Sequence, residues 1–119
     1  MYKLALIVDD EPVLVTFLQE VLESLELEIE VIVAENGTEG IKKIEENIDK
    51  LDMVFLDMRM AHVDGIAVYN KARTLSEDLT IVFMSGHPLA ELSTDPNVYF
   101  LPKPFTDDDI KLIIEKLGF

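Results

Sequence analysis

The stretch LALIVDDEP at residues 4–12 joins five apolar residues to three acids and a proline with no spacer. A short apolar run that stops abruptly reads as a strand buried on both faces. Pro12 suits the first turn of a helix, where its missing N–H costs nothing. Leu14, Phe17, Leu18, Val21, Leu22 and Leu25 follow at spacings of one, three and four, which predicts an amphipathic helix. The opening is therefore strand, acidic turn, helix.

The same alternation continues outward. Residues 28–34 begin with alternating polar and apolar residues, as a strand with one face partly exposed does. Asn36 and Glu39 are spaced for a reciprocal capping box, and Gly40, Ile41, Ile44 and Ile48 continue a helical stripe. Leu51–Leu56 is a third strand-like run with Asp57 at its end, and a helix is expected from about Asp64. Thr80–Met84 reads as the fourth strand, ending at Ser85 and Gly86. A fourth helix is expected over Leu89–Asp95, held to barely two turns by Pro88 and Pro96. Val98–Leu101 is the fifth strand. Thr106 with Asp109 forms a second capping-box pattern ahead of a helix packed through Ile110, Ile113, Ile114 and Leu117. Asp107, Asp108 and Asp109 suit the positive end of that helix.

Five apolar strands alternating with five helices predict an α/β fold, a parallel sheet covered on both faces with right-handed crossovers. Pattern alone leaves the strand order open. The flavodoxin-like order 2-1-3-4-5 is one of the common doubly wound choices. No repeat, low-complexity segment or long linker divides the 119 residues, so 1–119 is expected to be a single domain.

Composition removes several classes of function. With 24 Asp and Glu against 10 Lys and Arg, the net charge is -14, and no basic stripe offsets it. Such a field repels phosphate backbones, so no direct nucleic-acid binding is expected. There is no cysteine, which excludes disulfides and thiolate chemistry and favours the cytoplasm. Uncharged stretches are too short to span a bilayer, so no membrane insertion is expected. A Walker loop, a glycine-rich dinucleotide turn and a nucleophilic serine elbow are all missing. Asp9-Asp10-Glu11 is electrostatically unsuited to cradling a flavin phosphate.

In an open α/β sheet, ligands bind outside the carboxyl ends of the strands. Those ends deliver Asp9 and Asp10, then Asp57, then Ser85, and finally Lys103. Carboxylates gathered at one edge repel, by roughly 4 kcal/mol per pair about 4 Å apart at an effective dielectric of about 20. A hard divalent cation relieves that repulsion. Magnesium accepts one or two carboxylates with waters and phosphate oxygens, and calcium or manganese could use similar ligands. Zinc fits poorly without a histidine or cysteine cluster. A cation here would neutralise a phosphoryl group in transfer to Asp57, with Lys103 and Ser85 supplying a positive charge and a hydroxyl. Met53, Met58, Met60 and Met84 read as packing residues, and His62 as an exposed loop residue.

IVDDEP (7–12), FLDMRM (55–60) with Gly65 beyond it, MSGH (84–87) and LPKPF (101–105) together resemble the receiver domain of two-component response regulators, the CheY-like family. The resemblance spans essentially the whole chain and implies the strand order 2-1-3-4-5. It also implies that Asp57 is phosphorylated from phosphohistidine on a histidine kinase or histidine phosphotransfer protein, with Mg2+ as cofactor. Asp10 would be the main metal carboxylate. Asp9 would bind directly or through water, and the Arg59 carbonyl would complete the protein's share alongside Asp57. Ser85 corresponds to the switch hydroxyl, Lys103 to the phosphate-contacting lysine and Phe100 to the switch aromatic. The Lys103-Pro104 peptide would be cis, a state found at about 5–6% of X-Pro bonds in folded proteins.

Phosphorylation would draw Ser85 inward, repack Phe100 and remodel a protein-binding surface made by the fourth helix, the fifth strand and the last helix. Arg59 and His87 flank the site where family members vary their dephosphorylation rates, so both are expected to tune water access. Two departures stand out. Ala61 replaces the family's usual proline, and the Ser85–Lys103 stretch is about a turn short, which predicts a stunted fourth helix. A phosphorylation-independent protein-binding module is the alternative function, and whether the chain is standalone or excised from a larger regulator stays open.

Overall fold

The computed structural model describes residues 2–85, 92 and 94–119. Five strands form one parallel sheet: β1 (Lys3–Val8), β2 (Ile29–Ala34), β3 (Met53–Asp57), β4 (Thr80–Met84) and β5 (Val98–Leu101), in the order β2-β1-β3-β4-β5. The helices are α1 (Pro12–Ser24), α2 (Gly37–Asn47), α3 (Gly65–Leu75) and α4 (Asp107–Leu117). Period-two alternation along the strands sorts their side chains into two cores. Leu6, Val8, Val54, Leu56, Ile81 and Phe83 face one way, with Ile44 of α2 and Val68 and Ala72 of α3. Ala5, Ile7, Met53, Phe55, Val82 and Met84 face the other, with Leu18 and Leu22 of α1 and Ile110 and Ile113 of α4. β3 is buried along its whole length, so Asp57 ends a strand with no solvent-facing side.

Four α-helices, not five, occur among the described residues, and this corrects the sequence-based expectation. Much of the expected helix at Leu89–Asp95 lies outside the described residues. Its described end is a turn. The Asp95 N–H donates to the Leu92 carbonyl at 3.2 Å, and the Asp95 side chain accepts from the Asn97 N–H at 2.9 Å. That is an Asx-type arrangement, which competes with helix for the same backbone groups.

The two capping patterns also part company. Thr106 and Asp109 make both halves of their box at α4. At α2 the Asn36 side chain accepts from the Glu39 N–H at 2.8 Å, but the Glu39 carboxylate reaches forward to Lys43 at 3.1 Å. An i,i+4 partner of opposite charge has captured the second half of the box.

A clasp of polar side chains joins α3 to the β4–β5 connection. Asp95 Oδ2 accepts from the Tyr69 hydroxyl at 2.5 Å and from Arg73 Nε at 2.7 Å. Arg73 donates onward to the carbonyls of Leu79 at 2.8 Å and Ser76 at 3.2 Å. The Tyr69 ring lies 5.7 Å from that of Phe83, which stacks on Phe100 at 6.2 Å. Among the described residues, no helix is long and apolar enough to cross a membrane.

Candidate functional site

The sheet carries Asp9, Asp57, Ser85 and Lys103 to its carboxyl edge by simple strand termination. Asp57 is the last residue of β3, and its strand neighbour Met84 immediately precedes Ser85. Asp9 follows β1 and is 1% exposed; Asp57 is 5% exposed. Asp10 and Glu11 stand outside them in solvent. Gly65 allows the next turn to close over β3. A Cβ there would lie 2.2 Å from the Asp57 carbonyl oxygen, and its N–H donates to the Met58 carbonyl at 3.0 Å.

Lys103 is the hub. Its Nζ donates to Asp9 Oδ2 at 3.0 Å and Asp57 Oδ1 at 3.2 Å, and sits 3.4 Å from Glu11 Oε1. The peptide that follows it, Lys103-Pro104, is cis. Burial pushes both the Asp9 and Asp57 carboxyls above the ordinary carboxylate range, and the nearby Lys103 offsets this only in part. For Lys103, burial alone would lower the ammonium pKa, but its bonds and charge attraction to Asp9 and Asp57 outweigh that and raise it. One cation therefore serves three carboxylates, and the two buried ones remain under-compensated.

Asp9, Asp10, Glu11 and Asp57 each offer an oxygen within 4.8 Å of the others. An all-carboxylate donor set at this spacing fits a hard divalent cation. The cluster can hold a metal ion in principle. Arg59 contributes its backbone N–H to Asp57 Oδ1 at 3.4 Å, and its side chain is exposed. A cavity of about 260 Å³ opens above Asp57, lined by Glu11, Arg59, Ser85 and Lys103 with Met58 and Met84. Such a space suits a small tetrahedral anion approaching the Asp57 carboxylate.

The edge thus gathers Asp9, Asp10, Asp57, Arg59, Ser85 and Lys103. Ser85 is half-buried on the cavity wall, and Phe100 is half-buried within the first core, away from this cavity. His87 lies outside the described residues. Glu11 was missed as a site residue by sequence reasoning, which counted it only among the acids after the first strand. Its one signal was its place directly behind the Asp9-Asp10 pair.

Residues 5–115 match the response regulator receiver domain family. The transcriptional regulatory protein GlrR of Escherichia coli is 31% identical over 117 residues, covering 92% of this chain and 25% of that protein. A response regulatory protein of Vibrio cholerae is also 31% identical, over 95% of this chain and 44% of its own length. The chain therefore spans less than half of either relative. Among solved structures, the receiver domain of the hybrid histidine kinase CckA superposes with a TM-score of 0.81 at 26% identity, covering 96% of this chain and 97% of that one. The acidic cluster on this fold is the arrangement typical of phosphoaccepting response regulators. Matched over nearly its whole length, the chain belongs to the response regulator receiver domain family.

Proposed function

We propose that residues 1–119 act as one phosphoacceptor unit in which Asp57 takes a phosphoryl group from phosphohistidine on a histidine kinase or phosphotransfer protein, in the cytoplasm and with Mg2+. The carrying observation is the Lys103 ammonium bound to both Asp57 and Asp9 beneath a cavity sized for a phosphoryl group. Asp9, Asp10 and Asp57 would hold the cation, with the Arg59 carbonyl completing the protein ligands. When bound, the cation supplies charge neutralisation for the phosphoryl oxygens.

The remaining chemistry belongs to the side chains. An Asp57 carboxylate oxygen attacks phosphorus in line, the P–N bond to imidazole breaks, and its electron pair returns to the imidazole nitrogen. Lys103 exchanges a carboxylate partner for a phosphoryl oxygen, and Ser85 donates its hydroxyl to another. Positioning and electrostatics carry such a transfer, with little covalent work for the protein. Water later cleaves the acyl phosphate, releasing phosphate and restoring the carboxylate. Arg59 and His87 tune that water's access. Exchanging both residues while following phosphate loss tests this, and an unchanged rate removes them.

Movement of Ser85 toward the phosphoryl group lets Phe100 leave its stacking on Phe83 and repack, altering the surface around β5 for a protein partner. The test is a beryllofluoride adduct followed by fluorine NMR. A bound signal that needs both magnesium and Asp57 supports the reading. No bound signal in the wild-type chain at saturating magnesium returns the chain to a phosphorylation-independent binding module.

A further inference from the structure

We propose that Glu11 selects the phosphoryl donor, its carboxylate slowing transfer from small doubly charged donors relative to less charged ones. This rests on Asp57 being the acceptor. Glu11 is fixed at the cavity mouth by its backbone. Its N–H donates to Asp9 Oδ1 at 2.9 Å, and its carbonyl accepts from the Val15 N–H at 3.1 Å in the first turn of α1. The side chain lines the space above Asp57, and its Oε1 lies 3.4 Å from Lys103 Nζ. It is 60% exposed, against 0% and 7% for the side chains of Asp9 and Asp57, the other two carboxylates on that ammonium.

Two consequences have the same sign. An anion entering the cavity passes the Glu11 charge, and it must also draw Lys103 from a partner set that includes Glu11. The first penalty grows with the donor's negative charge, and the second falls on both donors alike, so the first sets their rate ratio. Arg59 lines the same cavity and supplies a positive charge, so the mouth is mixed in sign. Removing Glu11 shifts that balance toward attraction. Helix α1 makes no side-chain cap through this residue, so replacing it breaks no cap hydrogen bond.

The donors that separate charge are acetyl phosphate, a dianion near neutral pH, and phosphoramidate, a zwitterion with one net negative charge. In each case an Asp57 oxygen forms the new bond to phosphorus. The P–O bond breaks to release acetate in the first, and the P–N bond breaks in the second. Ammonia leaves with the protons already on its nitrogen.

Phosphorylation rates are measured by intact mass at saturating magnesium for wild type, E11Q, E11K and E11D with both donors. E11Q is expected to raise the acetyl phosphate to phosphoramidate rate ratio about fivefold, the kinetic equivalent of one unit charge a few ångströms away in a water-like medium. E11K raises it further, and E11D keeps the wild-type ratio. Raising salt from about 0.02 M to about 0.5 M shrinks the differences, as screening requires and packing does not. Normal labelling with an unchanged ratio in E11Q and E11K removes the role of Glu11 and leaves Asp57 the acceptor. A wild-type chain that labels with neither donor overturns the acceptor reading and this proposal together.

Discussion

Two carboxylate settings in this molecule, one buried and one half-buried, run in opposite directions. At the sheet edge, Asp9 and Asp57 are held above their ordinary range because burial outweighs what one lysine returns to three acids. At the α3 clasp, burial also pushes Asp95 up, but bonds from Arg73, Tyr69 and the Asn97 N–H outweigh it and leave Asp95 below that range. Arg73 serves one carboxylate and several carbonyls; Lys103 is divided. The clasp is a satisfied structural pair. The edge keeps uncompensated negative potential, which suits the proposed partners, a cation and a phosphoryl group, arriving from outside.

The sharpest way to break this contrast is to leave each acid alone. Arg73→Ala strands Asp95 and frees the carbonyls of Leu79 and Ser76, so it should cost about 3 kcal/mol in chemical denaturation. A loss below about 1 kcal/mol would mean the clasp is no better satisfied than the edge. Magnesium should act only on the edge. At ten times its dissociation constant it should stabilise the wild-type chain by about 1.4 kcal/mol, a thermal shift of several degrees. A similar shift in D10N, or none in the wild type, would separate the acidic cluster from metal binding.

Asp57→Asn should raise stability by about 1 kcal/mol in metal-free buffer at neutral pH, because it removes a charge that folding under-compensates. Asp95→Asn should lower it. Their pH dependences differ in sign. The folded pKa of Asp95 is depressed, so its contribution is complete above the unfolded carboxylate pKa and fades as pH falls through the folded value. The folded pKa of Asp57 is raised, so its cost is complete above the folded value and fades as pH falls toward the unfolded one. Denaturation of both variants against wild type from neutral to acid checks this, and parallel profiles would end the comparison.

The smallest effect concerns backbone. His62 has φ 68°, and the Val63 N–H reaches the Ala61 carbonyl at 2.8 Å across it, a γ-turn at the edge of the site. His62→Gly should relieve about 0.5–1 kcal/mol of left-handed strain. A destabilised variant would show that the loop's chain entropy dominates instead.

Most of this architecture is legible in the chain because strand and helix signals agree locally. LALIV, MVFL and IVFM are apolar runs cut off by polar residues, and those cut-offs line the candidate site. The helix count failed where Asp95 turns the chain, since an Asx bond looks like any other Asp-Pro-Asn sequence until its partners are known. Tyr69, Arg73 and Asp95 were illegible for the same reason: they lie on two elements and share no motif. Asn36–Glu39 and Thr106–Asp109 have the same spacing in sequence, but Lys43 four residues beyond Glu39 gives that carboxylate another partner. The residues that meet at the edge were legible as candidates because each lies at a strand's last residue or within two residues of it. Glu11 escaped because its role depends on how far Lys103 reaches across the edge.

Intact mass after incubation with magnesium and acetyl phosphate tests the central claim most directly. The wild-type chain should gain the mass of one phosphoryl group, and D57N should gain none. Equal gain in both would contradict Asp57 as the acceptor.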